Sequence, residues 1–111
     1  MLIYKIFRPS EWAELQQRGT TSGAPVDRDD GYVHFSTVKQ LPETLAKHFA
    51  AESRLMLLAC EAETLGDDLL WEKSRGGQDF PHLYRLLRMD DVLWARLVEL
   101  GPNGHEIGDL A

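Results

Sequence analysis

The chain has a single cysteine, Cys60, among its 111 residues, so no internal disulfide is open to it. Cys60 sits inside the apolar run Leu55 to Ala62 and reads as a small buried hydrophobe rather than a reactive thiol. No apolar run approaches the roughly 20 residues that span a bilayer. The first residues, Met1 to Phe7, lack the basic start, long apolar stretch and small-residue cleavage site of a signal peptide, and read as a strand. These absences place the expectation in the cytoplasm, with no membrane partner. Basic charge is also scarce: 12 Lys and Arg stand against 18 Asp and Glu, a net charge of −6 that opposes general nucleic-acid binding. There is no Gly-x-Ser-x-Gly elbow, no Cys-x-x-Cys and no phosphate-loop fingerprint. His34, His48 and His82, with Glu72, have no helical ligand spacing, so no metal site is expected.

What is present suits one globular domain over residues 1–111, with a core from about 2 to 100 and a turn-rich tail from 101 to 111. The hydrophobic share is 43% and the charged share 27%, too apolar for disorder. Leu2 to Phe7 has strand length and composition. Pro9-Ser10-Glu11-Trp12 opens a helix that Gly19 closes. Gly19 to Gly31, rich in Thr, Ser, Gly, Pro and Asp, reads as a loop or a few irregular turns. Tyr32 to Phe35 forms a short strand. Thr37 with Gln40 is a capping box, after which a helix resumes at Pro42 with Leu41, Leu45 and Phe49 as its stripe. Leu55 to Ala62 is apolar on both faces, as a central strand would be. Leu69 to Glu72, Leu83 to Leu87 and Val92 to Leu100 are further strands, with a flexible loop at 74–79. Helices gather early and strands late, so the fold class is α+β, with two main helices.

Two clusters hold the polar chemistry. In the first, Gly31-Tyr32-Val33-His34-Phe35-Ser36-Thr37, His34 and Ser36 share a strand face just before a helix start. An imidazole beside helix-terminal N–H groups suits an anionic ligand and can shuttle its protons. The plainer alternative is that the hydroxyls cap the helix, worth about 1 kcal/mol, while His34 bonds a neighbouring carbonyl. The second cluster joins Trp71, Glu72, Lys73 and Arg75 to Phe80, His82, Tyr84 and Arg85 around Gly76-Gly77. It is also compatible with a strand connection whose arginines offset Glu72 and Asp79.

Gly31 to Thr37, the Leu45 to Phe49 stretch, Trp71-Glu72 and Phe80-Pro81-His82-Leu83-Tyr84, in that order, resemble the bacterial family called domain of unknown function 952. The likeness runs from Leu2 to about Leu100. It implies a mixed or split antiparallel sheet, in a fold similar to the ADP-ribosyltransferase and RNA 2′-phosphotransferase group, whose split sheet grips nicotinamide adenine dinucleotide (NAD). The resemblance carries His34 and Ser36 as the second-strand motif and puts Lys5 where relatives often have histidine. It leaves the glutamate open between Glu72 and Glu99. The expected function is therefore a domain binding NAD or another nucleotide or phosphate-bearing small molecule, with activity of the ADP-ribosyltransferase type. His34, Ser36 and Glu72 are its candidate catalytic residues. Lys5, Thr37, Arg75, His82, Tyr84 and Arg85 are its candidate ligand contacts. The rival expectation is a non-catalytic interaction module that presents Trp71, Phe80 and Tyr84 as an exposed aromatic patch.

Overall fold

The computed structural model describes residues 1–110, and for Arg75 the backbone alone. The chain opens with β1 (Leu2–Phe7) and α1 (Pro9–Arg18), then β2 (Thr20–Thr21), α2 (Pro25–Asp30), β3 (Val33–His34) and α3 (Leu41–His48). The second half holds β4 (Arg54–Glu61), the single turn α4 (Ala62–Leu65), β5 (Leu69–Lys73), β6 (Asp79–Leu83), β7 (Leu87–Arg88), β8 (Val92–Gly101) and β9 (Gly104–Glu106). All strand pairs are antiparallel. The fold is α+β. No described helix is long and apolar enough to cross a membrane.

The main sheet has the order β1-β4-β8-β9, so β4 lies between two partners. Its composition explains the position. Leu58 and Cys60 face a core with Ile3, Phe7 and Leu15 of α1, while Leu55, Leu57 and Ala59 face a second core with Leu41 and Leu45 of α3. Burial pushes the Cys60 thiol up to about 12. A smaller sheet, β3-β6-β5, curls off beside β1. A single bridge joins the two: Tyr4 and Ser36 exchange both backbone hydrogen bonds at 2.8 Å.

Local chemistry sets most boundaries. In α1, Pro9 occupies the first turn, the Glu11 carboxylate accepts the Arg8 N–H at 2.8 Å, and Gly19 closes the helix in the left-handed region at φ 78°. Thr37 and Gln40 cap one another reciprocally, at 3.0 and 3.3 Å, one turn ahead of α3. Three expectations need correction. Residues 19–31 are not one loop, because they contain β2 and α2; Pro25 at the helix start and Asp27 in its first turn carry the signal. The strand expected at Leu83 to Leu87 lies earlier, as β6. After Leu83 the chain turns away, with the Tyr84 N–H donated to the Asp68 carbonyl, and Leu86 is exposed. Finally, the tail past Leu100 is not all turn, since β9 extends the main sheet and His105 Nε2 lies 2.7 Å from the Glu52 carbonyl.

Candidate functional site

The site forms where the two sheets part. Counting outward from the Tyr4–Ser36 bridge, the next facing pair on an antiparallel ladder is Ile6 with His34. That pair is not made. The His34 N–H instead donates to Asp27 Oδ1 at 3.0 Å, because the Asp27 carboxylate is wedged between the strands. Asp27 is fully buried, and three further donors surround it: Lys5 Nζ at 2.7 Å from Oδ2 and 2.9 Å from Oδ1, the Ala24 N–H at 2.7 Å, and His34 Nδ1 at 2.6 Å. Gly23, at φ 99°, makes room for it; a Cβ there would collide with the carboxylate. Burial opposes ionisation of Asp27, but the His34 hydrogen bond and the Lys5 ammonium outweigh it and hold the group at about 2. Burial also lowers Lys5 from its ordinary value, against the pull of Asp27.

Beside this hub a cleft of about 720 Å³ opens, within the size range of small-molecule sites. Lys5, Arg8, His34, Ser36 and His82 all line it, with Phe49 and Phe80 among its apolar walls. The two imidazoles are held differently. His34 is bracketed by carboxylates, with Nδ1 at Asp27 and Nε2 3.0 Å from Asp30 Oδ2. His82 is only 3% exposed, and its Nδ1 meets Glu72 Oε1 at 2.8 Å. Its Nε2 has no hydrogen-bond partner among the described residues. Tyr32 stacks on His82, with centroids 4.2 Å apart and an interplanar angle of 23°, and also meets His34 and Tyr84. The His34 and His82 rings lie 5.3 Å apart.

A carboxylate that fixes one imidazole nitrogen leaves the other to accept a proton, an arrangement that is chemically able to act as a general base. Glu72 Oε1 also accepts the Tyr84 hydroxyl at 2.7 Å. Those two hydrogen bonds, Tyr84 first, lower the Glu72 carboxyl, and the same contact pushes the Tyr84 phenol up to about 12.

Of the residues singled out in the sequence, the fold brings His34, Ser36, Lys5 and His82 together. Glu72 and Tyr84 connect to them through the His82 ring. Ser36 Oγ is engaged with Thr44 Oγ1 at 2.9 Å. Thr37 serves the cap of α3. Arg85 grips Asp91 with two hydrogen bonds, at 2.8 and 3.0 Å. It lines a different hollow, of about 490 Å³, together with Tyr32 and Tyr84. The Arg75 side chain lies outside the described residues. The aromatic patch is not formed as expected: Trp71 and Tyr84 are exposed, but Phe80 is buried in the cleft wall. Among the described residues no group of three His, Cys, Asp or Glu side chains is placed to hold a metal ion.

The family model described as "Protein of unknown function (DUF952)" matches residues 6–95. The chain belongs to the DUF952 family. Solved structures of protein CC0527 from Caulobacter crescentus resemble this DUF952 chain closely. Its crystal structure is 46% identical with a TM-score of 0.90, covering 94% of this chain and 91% of that one. Its solution NMR structure, also 46% identical, gives a TM-score of 0.83 over 94% and 90% of the two chains. Among curated proteins none matches.

Three residues of this candidate site were missed in the sequence: Asp27, Asp30 and Arg8. Asp27 and Asp30 fall in a stretch with no apolar stripe. Arg8 reads only as the residue before a helix, although its guanidinium lines the cleft, bonded to Glu52 at 2.7 Å and packed 5.0 Å from the Phe49 ring centroid.

Proposed function

We propose that the cleft binds a nucleotide-sized, phosphate-bearing small molecule, NAD among the candidates, and that His82 moves a proton on it. The observation that carries this reading is the His82 ring: buried, oriented through Nδ1 by Glu72, and without a partner at Nε2 among the described residues. A buried polar atom without a partner costs about 1–3 kcal/mol, which favours a site that a ligand completes. The cations at the cleft wall are Lys5, paired with Asp27, and Arg8, paired with Glu52 and Glu11, so a phosphate there would share them with these carboxylates. His34 is a positioning residue in this reading, because both of its nitrogens already meet carboxylates. Glu72 orients the base and steadies its charged form. The fold similarity to the ADP-ribosyltransferase group that the family resemblance implies makes cleavage of the nicotinamide–ribose bond the first reaction to assay.

The test is a titration of isotopically labelled protein with NAD, ADP-ribose and AMP, read by chemical-shift changes. Shifts centred on His34, His82 and Arg8, lost in His82→Ala while its fold is retained, support the reading. Titrations to millimolar ligand that leave those residues unmoved overturn it. Should NAD bind, nicotinamide release measured against pH is expected to fall at least a hundredfold in His82→Ala, in line with the usual contribution of a positioned acid–base group.

A further inference from the structure

The cleft opens beside β1, at one side of the main sheet, and the opposite side is left open along β8. There β9 pairs only with Glu99 to Gly101, and the chain after Glu106 forms no further strand among the described residues. The ladder fixes which groups of β8 face outward. Tyr4 spends its N–H and C=O on Ser36, so Lys5 turns its own to Leu58 of β4, and Leu58 has none left for Ala95 on its other side. Ala95 and, two residues on, Leu97 therefore turn their N–H and C=O to the open edge. They have no partner there among the described residues. Leu100, of the opposite parity, agrees, because its N–H reaches inward to the Ser53 carbonyl. Natural sheet edges are usually blunted by lysine, proline or an inward-pointing charge. Val92 to Val98 has neither lysine nor proline. Its one charge, Arg96, lies over the Trp94 ring, 4.2 Å from the centroid. Leu93 and Leu97 are 57% and 43% exposed. By contrast β5, an edge of the smaller sheet, carries Glu72 and Lys73.

We infer that a second copy of this chain pairs with this edge, β8 antiparallel to β8, with the two-fold axis at Ala95. Each Ala95 then exchanges both backbone hydrogen bonds with Ala95 of the second copy. Leu97 stands opposite Leu93 of that copy, and Arg96 opposite its Trp94. Charge selects this register. An axis at Arg96 would set two guanidinium groups against each other, whereas the Ala95 axis sets each guanidinium against an indole face. An axis at Leu97 would call on Glu99, which β9 already holds. The bulge at Leu93, where β8 gains a residue on β4, ends the pairing on the other side. Five residues a side are far fewer than the roughly 20–30 of a standard interface, so the dimer is weak and reversible. It leaves the cleft open and does not depend on the proposed ligand.

Sedimentation equilibrium of the intact chain, from micromolar to millimolar, is paired with amide hydrogen exchange read by NMR over the same range. The mean mass is expected to rise from one chain toward two. The Ala95 and Leu97 amides should slow about tenfold when free protein reaches ten times the dissociation constant. The Arg96 amide, already held by β4, should not change with concentration. Leu97→Glu alters an exposed side chain and puts a charge into the contact, so it should weaken the dimer at least about tenfold while circular dichroism stays that of the parent. A mass of one chain up to millimolar concentration overturns the inference. So does a dimer in which the Ala95 and Leu97 amides exchange no more slowly than in the monomer, because the contact then lies elsewhere. A folded Leu97→Glu variant that associates as strongly as the parent overturns it too.

Discussion

Asp27 is one carboxylate that answers a lysine, a histidine ring and two backbone N–H groups. Removing one partner of a buried ion pair leaves the other charge stranded, at a cost of about 3–5 kcal/mol. Asp27→Asn is therefore expected to lose that much in urea denaturation. Lys5→Met on the same background should recover a good part of the loss, because no stranded ammonium remains. If the double variant is as unstable as the sum of the two singles, the pair is not the cause. The pH dependence follows from the direction of the shift. The Asp27 carboxyl is depressed from 3.8 to about 2, so its contribution is full above about pH 4 and is lost as pH falls toward 2. The shift corresponds to about 2 kcal/mol. Acid denaturation curves of Asp27→Asn should be flatter than those of the parent between pH 4 and 2. Equal slopes would assign the acid sensitivity to other carboxylates.

At the scale of elements, legibility tracks how local the cause is. The capping box at Thr37 and Gln40 was readable because both partners lie within four residues, and β4 was readable because its apolar faces are written continuously from Leu55 to Cys60. Helix α2 was not. Its six residues, Pro25–Asp30, bury Asp27 rather than an apolar stripe, so contacts from β1 and β3 hold it in place. The Glu72–His82 pair was likewise invisible as a pair. It depends on a register that puts Glu72 opposite Phe80 and Leu70 opposite His82, making the two residues diagonal neighbours. The same logic predicts unequal tolerance. Leu58→Ala in β4 should cost about 2–5 kcal/mol in thermal or urea unfolding, whereas Thr37→Ala should cost about 1 kcal/mol. A Leu58→Ala variant within 1 kcal/mol of the parent would argue that β4 does not centre the core.

For the molecule as a whole, the α+β class was legible in the order of the segments; a split sheet entered only through the family resemblance, and the contact that parts it was not legible. The parting needs a buried carboxylate from one segment to intercept an N–H from another, and no pattern within either segment announces that. Because both cores share β1 and β4, the chain should unfold in one cooperative step, with tryptophan fluorescence and far-ultraviolet circular dichroism giving the same midpoint. Separate midpoints would mean that the β3-β6-β5 sheet melts on its own.

The lone thiol makes that cooperativity measurable without engineering. Cys60 lies on β4 with no exposure, and thiolate, the reacting form, is disfavoured there. A colourless chain mixed with an aromatic disulfide reagent should stay colourless until it opens, so the onset of yellow becomes a clock for how often this protein comes apart.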